Sequence, residues 1–340
     1  MVSLVTGATG LVGSHLVETL VMRGETVRAL VRPTSDKGRL RELGVEIRIG
    51  ELADAAALMA IAREVDCVFH CAALVSDWGV EEAFRQANVH GVRNILAAAT
   101  RAKVGKFIHL STTDIYGFAG EEVTEDERPA PRGFPYVDSK IEAESLVWNH
   151  RRRVGLPVCV IRSGPVYGPR ADLFVTEMLE SIRNRESILI DDGQHIAGLT
   201  YVGNLVDALI LAADSETAIG EAYNISDGSR VTWRQYLNAL ADLAELPRPT
   251  RSHPHWFAYL MAAAWEHYYH LMGHTERPPM TRMMVEIMGT DQIFSIEKAR
   301  EQLGYRPRVD FAEGIRHTGA WLRREGLLFP RLRDHPLGQT

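Results

Sequence analysis

The sequence predicts an α/β protein with a doubly wound parallel sheet and a smaller, interleaved C-terminal cap that binds the substrate. Apolar segments of strand character alternate with helical segments through the first half of the chain. The predicted strands are residues 2–6, 26–31, 45–49, 67–71, 106–110 and 158–161. The predicted helices are residues 12–23, 52–63, 81–102 and 136–153. Because alternating strands and helices form parallel sheets with right-handed crossovers, we expect one sheet covered on both faces.

A glycine-rich loop follows the first predicted strand directly. It has the spacing Gly-x-x-Gly-x-x-Gly from Gly7 to Gly13 and leads into a predicted helix. A helix N-terminus presents free backbone N–H groups and the positive end of the helix dipole, and glycines let an anion approach the backbone closely. The loop therefore predicts a Rossmann-type site for the pyrophosphate of a dinucleotide.

The regular alternation loosens after Pro165, which divides the chain into two predicted parts. Residues 1–168 form the dinucleotide-binding domain, and the chain returns to it at about residues 196–226. Residues 169–330 form most of the cap. Its predicted helices are residues 174–183, 205–213 and 232–243, the last with Thr232 as N-cap, and its predicted strands are residues 188–190 and 222–225.

The composition is that of an ordinary globular protein with mixed charges. A formal net charge of −6 over 340 residues gives no basic surface of the kind that binds nucleic acid. The three cysteines are expected as free thiols in a reducing compartment, and no ligand spacing suggests a metal site. Because the first strand begins at Val2 and no apolar stretch reaches about 18 residues, we expect a cytoplasmic protein without a signal peptide or a spanning helix.

Tyr136 and Lys140 are candidate catalytic residues. They are four positions apart in a predicted helix, so their side chains share one face. A phenol is a poor acid–base group near neutral pH because its usual pKa is about 10, and a lysine cation beside it favours the phenolate. Ordinary exposed helix pairs have the same spacing, so this assignment depends on the other motifs of the chain.

The glycine loop, the strand end at residues 110–113 and the Tyr136-x-x-x-Lys140 pair resemble the extended branch of the short-chain dehydrogenase/reductase superfamily, in this order along the chain. In that branch a hydroxyl residue lies four positions before a Tyr-Gly pair, here Tyr116-Gly117, so the resemblance implies that Thr112 donates a hydrogen bond to the substrate oxygen. It implies Tyr136 as the proton donor and acceptor, and Lys140 as a contact of the nicotinamide ribose. The implied cofactor-binding residues are Gly7, Thr9, Gly10, Leu11, Val12, Arg32, Glu51, Leu52, Ala72, Ala73, Tyr136, Lys140, Pro165 and Val166.

The resemblance extends over nearly the whole chain. Residues 88–94 match a helix motif of the branch, and residues 162–169 match the segment beside the nicotinamide. Glu51 stands where relatives usually have an aspartate that contacts the adenine. The resemblance also implies a homodimer formed by the helices at residues 81–102 and 136–153.

Arg32 indicates which dinucleotide is bound. Relatives that use NAD carry an acidic residue just after the second strand, where it binds the ribose 2′-hydroxyl, and this chain has Arg32 there. A guanidinium cannot accept a hydrogen bond from that hydroxyl but pairs well with a 2′-phosphate. NADP(H) is therefore favoured. NAD(H) is the alternative, because an exposed arginine can also stack on the adenine of either cofactor.

Residues 197–204 distinguish this chain from nucleotide-sugar epimerases and dehydratases, which have a similar front half. Those relatives carry an Arg-Asp-Phe run before a Tyr-Val pair, and its arginine helps to hold the substrate diphosphate. This chain has residues 197–199, without a cation, before Tyr201-Val202. Together with Asn204 and residues 294–307, the pair resembles the 3β-hydroxysteroid dehydrogenase-like branch, which acts on alcohols and ketones of large apolar skeletons. His195 is expected to be structural.

Residues 256–272 are unusually rich in aromatic and methionine side chains. Such a segment is core, the wall of a large apolar pocket, or a face that contacts a membrane surface peripherally. The sequence alone leaves these three interpretations open.

Three functions remain at this point. The favoured one is an NAD(P)-dependent oxidoreductase that interconverts a secondary alcohol and a ketone on a bulky hydrophobic, sterol-like or other lipid-like small molecule. The alternative is a sugar or nucleotide-sugar epimerase or dehydratase of the same superfamily, and the third is a non-enzymatic NADP-sensing protein on the same fold. The presence of Thr112, Tyr136 and Lys140 favours an enzyme, and the missing arginine near Gly198 disfavours sugar diphosphates.

Overall fold

Seven parallel strands form the main sheet of the computed structural model, which describes residues 1–118 and 120–328. The strands of the described residues are β1 (Val2–Thr6), β2 (Thr26–Val31), β3 (Glu46–Ile49), β4 (Cys67–His70), β5 (Lys106–Thr112), β6 (Val158–Ser163), β7 (Val166–Tyr167), β8 (Leu189–Ile190), β9 (Thr200–Tyr201), β10 (Ala222–Ile225) and β11 (Ser252–His253). The sheet order is β10-β6-β5-β4-β1-β2-β3, and the short pairs β7–β9 and β8–β11 lie outside it. The predicted fold class is confirmed.

Helices cover both faces of the sheet. The α-helices are α1 (Leu11–Met22), α2 (Gly38–Glu42), α3 (Ala55–Ile61), α4 (Glu81–Phe84), α5 (Gly91–Ala102), α6 (Pro135–Val154), α7 (Glu177–Arg183), α8 (Val202–Asp214), α9 (Trp233–Leu243), α10 (His255–Met272), α11 (Arg282–Met288), α12 (Glu297–Leu303) and α13 (Phe311–Arg324). One apolar cluster joins α1, α8 and α12 to the sheet, and a second joins α3, α5 and α6 to its other face. Strands β4 and β6 are therefore buried along their whole length, which explains their continuous apolar runs.

A third apolar cluster forms the cap. It contains buried side chains of α7, α9, α10, α11 and α13. The chain enters the cap after β7 and returns to the sheet through α8 and β10. The domain limits at residues 168 and 330 stay predictions, and residue 330 lies outside the described residues.

Two predicted helices are irregular. The helix expected at residues 81–102 contains a π-helical turn, Arg85–His90, between α4 and α5. The helix expected at residues 174–183 begins as a second π-helical turn, Asp172–Thr176. By contrast, Thr232 caps α9 as predicted, in a reciprocal capping box with Gln235.

Helix α10 holds the aromatic segment, and most of its large side chains are exposed. The buried residues of α10 are Ala258, Ala262 and Glu266, whereas Trp256 is 65% exposed and Leu271 is 74% exposed. Core packing of this segment is thus excluded for most of its aromatic residues. Among residues 1–118 and 120–328, none of the helices has the combination of length and apolar character that a bilayer crossing requires.

Candidate active site

A cavity of about 340 Å³ lies at the carboxyl ends of the central strands. The ends of β1, β4, β5 and β6 meet at this edge because all of these strands are parallel. Ten of the predicted site residues line the cavity: Gly7, Gly10, Leu11, Val12, Ala73, Thr112, Tyr136, Lys140, Pro165 and Val166. The structure therefore brings the glycine loop and the candidate catalytic side chains to one place, where open α/β sheets bind their ligands.

The glycine loop has the geometry of an anion cradle. Gly7 has a φ of 71°, a left-handed conformation that favours glycine. A Cβ atom at Gly13 would lie 2.1 Å from the Gly7 carbonyl oxygen, so only glycine fits there. Helix α1 begins after Gly10 with no side-chain cap, so its first N–H groups have no side-chain acceptor at the N-cap. These residues fit the pyrophosphate of a dinucleotide.

Five predicted cofactor residues do not line this cavity: Thr9, Arg32, Glu51, Leu52 and Ala72. Ala72 lies directly behind the loop, and its N–H donates to Thr6 Oγ1 at 3.3 Å. Arg32 and Glu51 are exposed residues just after β2 and β3, further along the same sheet edge. This placement is compatible with an extended ligand along the edge, and the roles of all five residues stay predictions.

Thr112 and Asp114 form a hydrogen-bonded pair beside Tyr136. Thr112 Oγ1 donates to Asp114 Oδ2 at 2.9 Å, and the Asp114 N–H donates back to Thr112 Oγ1 at 3.2 Å. The Tyr136 phenol lines the same cavity as this pair, and Thr112 acts to lower its pKa. Burial raises the pKa of Asp114 to about 6, although the Thr112 hydrogen bond and the Lys140 charge act in the opposite direction. The sequence interpretation did not include Asp114, and its position two residues after Thr112 was the available signal.

Lys140 is buried, and its ammonium group donates to the Leu110 carbonyl oxygen at 2.7 Å. Burial lowers the pKa of Lys140 to about 8. The expected lowering of the Tyr136 pKa is not found in the protein alone. Burial and the nearby Asp114 carboxylate raise the pKa of this phenol instead.

Buried hydrogen bonds hold α6, which carries Tyr136 and Lys140, in place. Asn88, in the π-helical turn, donates to Ser139 Oγ at 3.0 Å and to the Leu74 carbonyl at 3.1 Å. Further along α6, Glu144 accepts two bonds from Arg162 Nε on β6, each at 3.2 Å. Residues on the sheet and in the neighbouring helix thus position the face of α6 that carries the two candidate catalytic residues.

The remaining walls of the cavity are largely apolar. They include Leu173, Phe174, Met283, Met284 and Ile287. Arg170 is the arginine of this wall among the described residues, and both oxygens of Glu18 accept from its guanidinium, at 2.7 and 3.0 Å. Glu18 also accepts from Arg39 at 3.1 Å, so one carboxylate is shared by two guanidinium groups.

The segment that replaces the Arg-Asp-Phe run is packed into the cap. Ala197 and Leu199 are buried, and a Cβ atom at Gly198 would lie 2.6 Å from the Gln292 carbonyl oxygen. His195 does not line the cavity; its ring lies 3.4 Å from an Asp191 oxygen and 3.6 Å from an Asp291 oxygen. No group of three or more His, Cys, Asp or Glu side chains in residues 1–118 and 120–328 could hold a metal ion.

Several known proteins are similar to this chain over most of its length. The NAD dependent epimerase/dehydratase family matches residues 3–226. The 2-alkyl-3-oxoalkanoate reductase of Stenotrophomonas maltophilia (strain K279a) is 32% identical over 326 residues, 93% of this chain and 98% of that protein. The 4-hydroxy-2-methyl-3-oxo-4-farnesyl-3,4-dihydroquinoline-1-oxide ketoreductase of Stigmatella aurantiaca is 29% identical over 93% of this chain and 95% of its own.

One solved structure is similar to this chain over nearly its whole length. The crystal structure of gox2253 is similar with a TM-score of 0.78 at 29% identity, covering 96% of this chain and 98% of that one. The family match includes both the glycine loop and the Tyr136-x-x-x-Lys140 pair. The chain therefore belongs to the NAD dependent epimerase/dehydratase family, in the extended branch of the short-chain dehydrogenases/reductases, and is an NAD(P)-dependent enzyme that acts on CH–OH groups.

Proposed function

We propose that this enzyme interconverts a ketone and a secondary alcohol on a bulky, lipid-like substrate. The observation that carries the proposal is the composition of the cavity. The hydroxyl of Thr112, the phenol of Tyr136 and the ammonium of Lys140 lie next to the glycine loop, and the walls beyond them are apolar. Such a site offers polar contacts to one reacting oxygen and apolar contacts to the rest of the molecule.

The bound dinucleotide would supply or accept the hydride. In the reductive direction the carbonyl carbon gains this hydride, and the carbonyl oxygen gains the proton of Tyr136, which solvent then replaces. Thr112 hydrogen-bonds to the same oxygen, and the Lys140 ammonium stabilises the negative charge that develops on the phenol. The two relatives named above support this direction, because their names describe reductases of oxo compounds with alkyl or farnesyl groups.

The alternative is an epimerase or dehydratase that acts on a nucleotide sugar, which the name of the family supports. Two features of the site argue against it. The Arg170 guanidinium is already bound by Glu18, and the packed residues 197–199 supply no cation for a diphosphate. We therefore favour the ketoreductase function.

A substrate panel tests this choice. The purified protein is incubated with NADPH or NADH and with methyl ketones, a 3-oxosteroid or UDP-glucose, and the reduced cofactor and the products are measured by absorbance and mass spectrometry. We expect cofactor oxidation that matches alcohol formation from an apolar ketone. Conversion of UDP-glucose without net cofactor oxidation, and no reaction with any ketone, would contradict the proposal.

For the cofactor, the position of Arg32 supports NADP(H). Its side chain is exposed at the end of β2 and forms no hydrogen bond with another residue of the described chain. A charge-assisted contact with the 2′-phosphate contributes about 1.5–3 kcal/mol, which is roughly ten- to a hundred-fold in affinity. We expect NADPH to bind more tightly than NADH by this factor, and Arg32→Asp to abolish the preference.

Calorimetric titration of both cofactors measures this preference. Arg101→Asp is the control, because Arg101 is an exposed arginine in the last turn of α5. It should keep the native preference. Equal affinity of the native protein for both cofactors would show that Arg32 does not select the 2′-phosphate.

A further inference from the structure

A second cavity, of about 630 Å³, lies inside the cap and forms a groove. Its walls come from α7, α9, α10 and α11 and from residues 277–280. This groove is larger than the catalytic cavity of about 340 Å³. No residue assigned to catalysis or to the cofactor lines it.

The groove adjoins the catalytic cavity. Leu173 and Met284 line both cavities, and these two side chains are called the junction below. One wall of the catalytic cavity is the glycine loop, where the dinucleotide is expected. The space left there suits the reacting end of a large substrate, and the rest of the molecule must extend elsewhere. Beyond the junction lies the groove, which has the volume for that remainder.

Methionine is the most frequent residue type in the lining of the groove. Five of the ten methionines of the chain line it: Met178, Met261, Met280, Met284 and Met288. Methionine is unbranched and flexible, so such a wall adapts to a chain that has many conformations rather than to one rigid outline. The other apolar residues of the lining are Leu173, Ile188, Ile190, Leu237, Trp265, Pro278, Pro279 and Val285.

The charged side chains that line the groove favour an uncharged ligand. Glu177, Glu180 and Glu186 line it, and all three residues are exposed. Arg277, the arginine of this lining among the described residues, donates to both oxygens of Asp77 at 2.6 Å and to Glu177 at 3.4 Å. The acidic side chains of the lining therefore outnumber its arginine, and an acidic surface repels carboxylates and phosphates. The groove therefore suits an uncharged hydrocarbon tail.

We propose that the groove is the tail subsite for a substrate with a long, flexible hydrocarbon chain, whose carbonyl lies at Thr112 and Tyr136. The assignment rests on the proposed ketoreductase function and narrows its substrate class from bulky lipids to long-chain ones. Fused-ring skeletons would fill the junction at Leu173 and Met284 but would use little of the groove beyond it.

Chain-length dependence tests the assignment. The substrates are methyl ketones from butanone to hexadecanone, reduced with NADPH. Each methylene group buried in the groove should raise kcat/KM about three- to fourfold until the groove is filled. A kcat/KM that is the same for butanone and hexadecanone would overturn the tail subsite while leaving the proposed function in place.

A matched pair of variants tests whether the chain-length dependence of kcat/KM arises in the groove. Met261→Glu puts a carboxylate into the groove, whereas Met272→Glu makes the same change on the same helix at an exposed position outside its lining. Met261→Glu should lower kcat/KM for hexadecanone by at least about tenfold and leave butanone unchanged, since only the long chain needs the groove. Met272→Glu should match the native enzyme for both. An equal effect of both variants would contradict the assignment.

A second variant, Ser181→Trp, and a binding measurement test the groove without relying on the folding of the Met261→Glu variant. Ser181 lines the groove on α7, where an indole would occupy its volume. Calorimetric titration of the NADP⁺ complex with hexadecanol measures tail binding without any turnover. We expect an affinity at least about tenfold weaker for Ser181→Trp than for the native protein. Unchanged affinity would overturn the tail subsite even if no ketone proved to be a substrate.

Discussion

Tyr136 is the residue on which the proposed chemistry depends most directly. Its phenol lines the cavity together with Thr112 and Lys140, and Tyr136→Phe removes the transferable proton while the ring keeps its packing. Because positioned acid–base catalysis contributes about 10²- to 10⁴-fold, we expect the single-turnover rate of hydride transfer to fall by that factor with cofactor affinity nearly unchanged. Stopped-flow measurement of NADPH oxidation with saturating ketone gives this rate. A Phe variant with the native rate would remove Tyr136 from the mechanism.

Asp114, which is hydrogen-bonded to Thr112, should make the rate of ketone reduction depend on pH. When this carboxyl is ionised it accepts a hydrogen bond from the Thr112 hydroxyl, and when it is neutral the hydroxyl is free to donate to the substrate oxygen. With a pKa raised by burial to about 6, we expect the rate of ketone reduction to fall as pH rises through about 6. Asp114→Asn should remove this step. Asp172→Asn, an exposed carboxyl of the same cavity wall, should keep it.

The stability of the protein should also depend on the protonation state of Asp114. The folded state holds the Asp114 proton more tightly than the unfolded chain, in which the pKa is near 3.8. The contribution of Asp114 to the free energy of unfolding therefore decreases as pH rises between about 4 and 6. Rate and stability are measured against pH for the native protein and for Asp114→Asn. If the two proteins show the same pH dependence across this range, Asp114 does not have the role given to it.

At the scale of elements, the loop between β4 and α4 joins the sheet to the cap. Asp77 in this loop is nearly buried, with a side chain 3% exposed, and it pairs with Arg277 of the cap. Trp78 packs against His270 of α10, with 4.6 Å between the ring centroids. The loop thus fixes the cap over the catalytic cavity at the point where the groove begins.

Asp77→Asn tests how much this contact stabilises the fold. The change removes the negative charge that accepts the two bonds of 2.6 Å from the Arg277 guanidinium and leaves only the longer contact with Glu177, at 3.4 Å. Hydrogen bonds to charged groups contribute about 1.5–3 kcal/mol, so we expect the free energy of unfolding to fall by that amount. Urea denaturation measures it. The control Asp242→Asn removes a similar two-bond pair with Arg248, which is exposed, and should cause no measurable change. Equal effects of the two variants would mean that burial of Asp77 adds nothing.

The elements differed in how well the sequence predicted them. Strands such as Val2–Thr6, Thr26–Val31 and Ala222–Ile225 have their predicted bounds because apolar runs between turn residues define buried strands. The π-helical turn Arg85–His90 was not predicted, since an inserted residue leaves the helical hydrophobic pattern nearly intact. Helix α10 was recognised only as an aromatic segment, because its exposed apolar face lacks the polar side that marks a surface helix.

The candidate site was predictable where backbone geometry dictates residue type. Gly7 and Gly13 have that property, since a side chain at either would collide with neighbouring backbone. Asp114 and Arg170 were missed because their importance comes from burial and from a partner distant in sequence, Glu18 in the case of Arg170. Likewise, the raised pKa of Tyr136 results from desolvation, which the spacing of Tyr136 and Lys140 does not reveal.

At the scale of the whole molecule, two surfaces could join copies of the chain. Helices α5 and α6 pack side by side, and Leu146 and Trp148 on α6 are only partly buried in the monomer. Helix α10 presents a second apolar face, on which Leu260 is 60% exposed and Leu271 is 74% exposed. The resemblance of the sequence to its superfamily predicts that the first surface forms the dimer.

Sedimentation velocity of the native protein and two leucine variants distinguishes the surfaces. In a two-fold symmetric dimer each substitution enters the interface twice, so Leu146→Arg should bury two unpaired charges and give a monomer. Leu271→Arg places the same charge on α10 and should leave the dimer intact. Dissociation by Leu271→Arg alone would assign the interface to α10, and a monomeric native protein would contradict the dimer. Each variant keeps the catalytic cavity, since neither leucine lines it, so ketone reduction confirms that the fold is unchanged.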